Sequence, residues 1–280
     1  MELLNIRAVV CDLDGTLLHS PQEAIKVPGR TRASFFSADA SILLEKISKI
    51  FPVVIATGRN SNSVYKLVSQ LPDVRFIGFV LENGFVVKHA IDNILTAESK
   101  TANHNDNIHL HYKTINNPER EIKEDWNKIA ALFPDWERLL FYENCAGFIF
   151  DLSQNEIYKM AIDARLKHAQ RVLAENGYSY PVYKEKRKIF IYPGHVDKMR
   201  GLELLGVHPY IAIGDGENDL QMMQQSTIAV SLDSGASELK EIVMQKNGFW
   251  SMKREHEAAC EMLEFAYNLV LKTSASRQSL

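Results

Sequence analysis

Ala8-Val9-Val10-Cys11-Asp12-Leu13-Asp14-Gly15-Thr16 runs four apolar residues directly into two carboxylates and a glycine turn. A short continuous apolar run bounded by a turn is the pattern of a strand buried on both faces. Its C-terminal end, where the two acids sit, is the edge at which open α/β sheets bind ligands. Side chains alternate along a strand, so Asp12 and Asp14 point the same way and repel one another unless a cation or a shared proton relieves them. A divalent metal is the simplest relief. The plain structural account of the same residues is a strand closed by an Asp-Gly turn.

Outward from this strand, apolar periodicity predicts a helix over 38–50, a strand over 53–56, a helix over 61–71 and a strand over 76–81. The same alternation returns from 197, with a helix over 197–205, a strand over 210–213, a helix from 217 and a strand over 227–231, followed by helices. Near-continuous apolar strands alternating with helices make an α/β chain with a Rossmann-like, doubly wound parallel sheet. Residues 85–193 are different in character. Helices near 119–132 and 154–176 and short strands near 84–89, 139–151 and 187–192 predict an inserted α+β domain. Trp126, Phe133, Trp136, Phe141, Phe148 and Phe150 would supply its core. The expected organisation is a core over 1–84 and 194–272, an insert over 85–193, and a small, polar, frayed tail over 273–280.

The 280 residues have 46% hydrophobic and 24% charged content and a formal net charge of -3, which argues against a generic nucleic-acid binder. No apolar stretch approaches the roughly 20 residues that span a bilayer, and the N-terminus lacks a basic region followed by a long apolar core. A cytoplasmic protein with neither membrane nor nucleic-acid partner is expected, as a monomer or homodimer. Cys11, Cys145 and Cys260 are odd in number and without CxxC spacing, so neither a disulfide framework nor a zinc site is suggested.

Three further segments carry chemistry. Val53-Val54-Ile55-Ala56-Thr57-Gly58-Arg59 places a hydroxyl, a flexible glycine and a guanidinium at a strand-to-helix turn. The Thr57 hydroxyl and backbone N–H groups there suit phosphate oxygens, while Arg59 would either pair with substrate or cover the surface. Gly214-Asp215-Gly216-Glu217-Asn218-Asp219 again follows an apolar strand, and three acids in five residues favour a cation. Oxygen ligands, with no histidine or cysteine in either acidic loop, select Mg²⁺ over a softer metal. An acidic helix N-terminus explains the same residues without a metal, Glu217 best of all. Lys198, at the start of a helix, reads either as a solvated charge or as the cation that holds a carboxylate nucleophile and a phosphate together.

Taken in order, Asp-x-Asp-Gly-Thr, apolar-Thr-Gly-Arg, Lys and Gly-Asp-Gly-x-Asn-Asp resemble the four motifs of the haloacid dehalogenase-superfamily phosphohydrolases. The position of the insert resembles the type 2 cap subclass, which includes Cof-like and sugar-phosphate phosphatases, and Glu82-Asn83-Gly84 is typical of the Cof-like group. The resemblance implies Asp12 as the nucleophile that forms an aspartyl phosphate, and Asp14 as the general acid and base. It implies Mg²⁺ held by Asp12, the backbone carbonyl of Asp14 and Asp215, with Asp219 or Asn218 supporting through water. Thr57, with Gly58, Arg59 and Asn218, would bind the phosphate, and Lys198 would tie it to Asp12. The substrate implied is a small phosphorylated molecule, a sugar phosphate above all, chosen by the cap.

Two departures stand out. Residues 20–37 lengthen the stretch after the nucleophile loop and read as a solvated loop, or as an approach for anionic substrate lined by Lys26, Arg30 and Arg32. The segment ending at Lys198 is more like the Gly-x-Asp-Lys form of trehalose-phosphate phosphatases and phosphomannomutases, which keeps a sugar phosphomutase as the alternative activity. A non-catalytic phosphate sensor is the alternative outside enzymes. His104, His109 and His111 show no regular ligand spacing and read as surface residues.

Overall fold

A computed structural model of the chain describes residues 6–20, 25–27, 33–90, 112–114, 126–139, 142, 144–150 and 156–278. The chain divides into two compact units, 1–115 with 197–280, and 116–196.

In the first unit, β1 (Ala8–Cys11), β5 (Val53–Ala56), β6 (Phe76–Leu81), β13 (Tyr210–Ile213), β14 (Ile228–Leu232) and β15 (Phe249–Ser251) are joined by parallel pairing. The antiparallel strands β7 (Val86–Ala90) and β8 (Tyr112–Thr114) extend one edge, so the eight-stranded order is β15-β14-β13-β1-β5-β6-β7-β8. From β1 the chain winds one way through α1 (Ala38–Ser48) and α2 (Ser61–Val68). From β13 it winds the other way through α6 (Leu220–Gln225) and α7 (Glu238–Gln245). The reversal of strand order beside β1 makes the crevice in which doubly wound sheets bind ligands. Cys11 is level with both Ile55 and Ile213, so the residues that follow these strands leave the sheet at one edge. All residues of β1, β5, β13 and β14 are buried, which is why their sequences are apolar runs broken only at Ser231, whose hydroxyl donates to the Gly214 carbonyl at 2.7 Å.

The structure corrects three expectations. Residues 18–36 are not simply a loop: β2 (Leu18–His19), β3 (Ile25–Val27) and β4 (Ser34–Phe36) make a small antiparallel sheet in the order β2-β4-β3. Lys26 is exposed on β3, and Arg30 and Arg32 lie outside the described residues. Residues 86–90 and 112–114 belong to the core sheet, so the compact insert begins at 116 rather than 85. Pairing of β7 with β6 captures these residues before the chain leaves the core. Residues 273–278 of the tail expected to fray instead continue α8 (Glu255–Gln278), which packs against α1, and 279–280 lie outside the described residues. Thr273 Oγ1 and Ser276 Oγ donate back to the carbonyls of Leu269 and Lys272, so the polar side chains are satisfied within the helix. Arg277 anchors the end by donating to the Ile6 carbonyl at 2.7 Å and lying 4.9 Å from the centre of the Phe51 ring.

The second unit is a four-stranded antiparallel sheet, ordered β11 (Val182–Glu185), β12 (Lys188–Ile191), β10 (Ala146–Ile149), β9 (Glu137–Arg138), with α3 (Trp126–Ala131) and α4 (Glu156–Glu175). Trp126, Ile129, Phe133, Phe148, Phe150, Ile189 and Ile191 form its own core, and Trp136 packs against it. Every aromatic expected to build that core is there except Phe141, which lies outside the described residues, as do His104, His109 and His111.

Candidate active site

The acidic loops meet because their strands are in register. The Asp12 amide continues the β1 ladder to the Ile213 carbonyl at 2.9 Å, and the Thr57 amide donates to the Val80 carbonyl at 2.8 Å. Asp12, Thr57, Asp215 and Asp219 are all buried, and so is Lys198. Lys198 is the first residue of α5 (Lys198–Leu204), whose N-cap Asp197 accepts from the Met199 amide. A capped start fixes where the chain turns into the helix. Gly201 then lets α5 sit directly on β6, since a Cβ there would lie 2.4 Å from a Val80 methyl.

This placement makes the Lys198 ammonium the centre of the site. Nζ donates to Asp12 Oδ1 at 2.6 Å and to Asp219 Oδ1 at 2.7 Å. Asp219 Oδ2 accepts from the amides of Asp215 and Gly216 at 3.0 and 2.9 Å, closing its own loop. The Thr16 hydroxyl donates to Asp215 Oδ1 at 2.8 Å, joining the first acidic loop to the second. Thr16 was legible as part of the Asp-x-Asp-Gly-Thr run, but nothing in the sequence signalled this bond.

Electrostatics follow from burial. Loss of water pushes the Asp12 carboxyl up to about 7, with Lys198 opposing and the charges of Asp219 and Asp14 adding. Asp219 is raised chiefly by burial as well. Burial alone would lower Lys198, but the two carboxylates outweigh it and hold the ammonium above its ordinary range. One oxygen from each of Asp12, Asp215 and Asp219 lies within 4.8 Å of the others. Three buried carboxylates gathered beside the Lys198 ammonium form an all-oxygen donor set, which fits a hard divalent cation.

The other expected residues are placed as follows. The Thr57 hydroxyl accepts from the Arg59 amide at 3.2 Å, leaving its own proton to donate. Gly58 lies between them in the turn before α2. Asn218 donates from its side-chain amide to Asn83 Oδ1 at 2.9 Å. The Arg59 guanidinium grips Asp14 with two bonds of 2.6 Å, and Nη2 also reaches Ser34 on β4 at 3.1 Å. Neither of the two roles weighed for Arg59 included this fork, which is the bidentate geometry that carboxylates favour. If Arg59 orients Asp14, Arg59→Ala should lower kcat by about 10–100-fold with a smaller change in KM. A rise in KM alone would restore Arg59 to direct phosphate binding.

The family of haloacid dehalogenase-like hydrolases has a sequence model that matches residues 9–245. The chain belongs to that family. Solved structures share its fold: a Thermoplasma acidophilum protein is 18% identical, with a TM-score of 0.61 over 94% of this chain and 99% of that one. A Bacteroides thetaiotaomicron haloacid dehalogenase-like hydrolase is 17% identical, TM-score 0.55, over 93% and 99%. The sucrose-phosphatase of a Synechocystis species is 15% identical, TM-score 0.53, over 94% and 98%. Identities this low carry the fold alone. Among curated proteins, the chloroplastic endoribonuclease YBEY of Arabidopsis thaliana is 22% identical over 84% of this chain, and the chain spans 42% of that protein's length. The doubly wound core expected from the motifs holds for this chain. Among the described residues no helix is long and apolar enough to cross a membrane.

Proposed function

We propose that this haloacid dehalogenase-like hydrolase is a Mg²⁺-dependent phosphomonoesterase that acts on a small phosphorylated sugar through an aspartyl phosphate on Asp12. The observation that carries the reading is the fully buried Lys198 ammonium bonded to both Asp12 and Asp219 beside Asp215. A buried cation joining a nucleophile to a second acidic loop is what phosphoryl transfer needs, because a dianionic substrate is otherwise repelled by the carboxylate that must attack it. Names among the similar structures support the sugar: the sucrose-phosphatase and a trehalose-6-phosphate phosphatase related protein, 15% identical with a TM-score of 0.58. Analogy of fold is a weaker warrant than the site itself. Residues 116–196 would serve as the type 2 cap that selects the leaving group.

Asp12, the Asp14 carbonyl and Asp215 would hold the Mg²⁺, with Asp219 and Asn218 acting from the loop behind. When bound, the ion supplies the positive charge that lets carboxylate and phosphate approach. Asp12 attacks phosphorus through a carboxylate oxygen as the bond to the leaving oxygen breaks, and Asp14 gives that oxygen a proton. Asp14 then takes a proton from water. The water oxygen attacks phosphorus, the bond to Asp12 breaks, and phosphate leaves with the Asp12 carboxylate and the Asp14 acid both restored. Lys198 keeps the Asp12 oxygen directed throughout, while Thr57 and the amides of its turn hold the phosphate. To present its proton, Asp14 must give up one bond of the Arg59 fork.

A panel of phosphorylated sugars and nucleotides, with and without Mg²⁺, tests this reading by free phosphate and by sugar isomers. Mg²⁺-dependent phosphate release supports it; isomerisation without release identifies a mutase, and neither identifies a sensor. Metal binding itself should depend on pH. With Asp12 raised to about 7, the ion must displace a proton below that value, so the apparent affinity should fall by about tenfold per pH unit between about pH 6.5 and 5 and level off above 8. Calorimetric titration across this range checks it, and a flat profile would mean that Asp12 is not a ligand.

A further inference from the structure

Glu82-Asn83-Gly84 is a single turn with three consecutive positive φ angles, 50°, 54° and 97°. Left-handed backbone is disfavoured for Glu, tolerated by Asn and natural only to Gly. All three residues are buried, so the turn is held by its surroundings rather than relaxed into solvent. Those surroundings are the site's loops. The Glu82 amide donates to the Arg59 carbonyl at 3.0 Å and the Asn83 amide to the Thr57 carbonyl at 3.1 Å. Gly84 lies so near the backbone before Lys198 that a Cβ would be 2.0 Å from the Asp197 carbonyl oxygen. The Asn83 side chain accepts from Asn218, whose own Oδ1 lies over Gly216, 2.3 Å from where a Cβ would be.

We propose that Asn83 is a positioning residue that sets the Asp215–Asp219 loop against the Thr57–Arg59 loop, with its main chain on one and its carboxamide on the other. The Asp215–Asp219 loop carries two of the three clustered carboxylates, one of which, Asp219, holds Lys198 together with Asp12. Through its bonds to the Thr57 carbonyl and the Asn218 carboxamide, Asn83 acts by fixing the distance between the phosphate turn and the acidic loop. The proposal takes the site to be the phosphatase centre described above, so its test needs a readout that survives if that reading fails.

Asn83→Gly keeps a residue at ease with positive φ and keeps the amide bond to Thr57, while deleting the carboxamide. It should be compared with Asn218→Ala and with the double variant. Mg²⁺ affinity measured by calorimetry is the first readout, and hydrolysis of 4-nitrophenyl phosphate the second. Asn83→Gly should weaken Mg²⁺ binding by about three- to tenfold and lower kcat by about tenfold, Asn218→Ala should do at least as much, and the double variant should be no worse than Asn218→Ala alone, because the contact that Asn83→Gly removes is already lost there. Thermal unfolding should show all variants folded. Metal affinity and kcat of Asn83→Gly within twofold of wild type, or effects that multiply in the double variant, would overturn the proposal. A wild-type protein that binds Mg²⁺ but hydrolyses nothing would remove the phosphatase reading and leave metal affinity to decide the role of Asn83.

Discussion

Asp12→Asn should lose turnover by a factor on the order of 10⁴ or more, while folding to a protein whose metal-free stability depends less on pH than that of the wild type. The loss follows because Asn offers no carboxylate oxygen for the bond to phosphorus, and Asp14, held by Arg59, is placed to move protons rather than to attack. The second effect follows from the raised Asp12 carboxyl. Its folded value, about 7, lies above the 3.8 of an exposed aspartate. The folded protein therefore keeps a proton that the unfolded chain releases, so the stability this group contributes is complete below about 3.8 and is lost as pH rises through about 7. Asn keeps an oxygen that can accept from Lys198 and has nothing to titrate. Metal-free thermal scans at pH 5 and pH 8 should show a larger fall in Tm for the wild type than for Asp12→Asn. Substantial residual turnover would remove Asp12 as the nucleophile, and parallel pH curves would remove it as the group that titrates.

How far the sequence anticipated this site depends on the range of each signal. β1, β5 and β13 were legible because burial on both faces leaves an unbroken apolar run, and each run ends at the turn that carries the chemistry. The small sheet at β2, β3 and β4 was not, because strands of two or three residues give too short a run for periodicity to register. β7 read correctly as a strand, but which sheet takes it is decided by pairing with β6, a contact that a local pattern does not encode. Arg277 tying α8 to Ile6 spans nearly the whole chain and had no local mark, so polar residues that look frayed are helical. The same holds within the site. Acid spacing pointed to the metal cluster, whereas the partners of Arg59 and Asn218, at Asp14 and Asn83, appear only once the loops are brought together.

Lys198→Met should be the most destabilising change at the site and should also remove activity. The side chain is fully buried, so its ammonium has given up water for Asp12 and Asp219. Removing it leaves those carboxylates buried without their cation. Breaking a buried pair from one side typically costs about 3–5 kcal/mol, far more than the net worth of the intact pair, because the remaining charge is uncompensated. Methionine fills most of the stem's volume, so the loss is electrostatic rather than a cavity. Two measurements separate this account from simple misfolding. Asp219→Asn added to Lys198→Met should recover part of the lost stability, because one of the stranded charges is gone and the asparagine oxygen and nitrogen can still face the Asp215 and Gly216 amides and Asp12. Mg²⁺ should raise the Tm of Lys198→Met by more than it raises that of the wild type, the ion replacing some of the missing positive charge. Turnover should stay lost in both cases, by about 10³-fold, since a cation bound elsewhere in the cluster does not direct the Asp12 oxygen as the ammonium does. A Lys198→Met protein as stable as the wild type at pH 8 would mean that Asp12 and Asp219 do not both carry charge in the folded state, and that the ammonium is not what holds the acidic loops together.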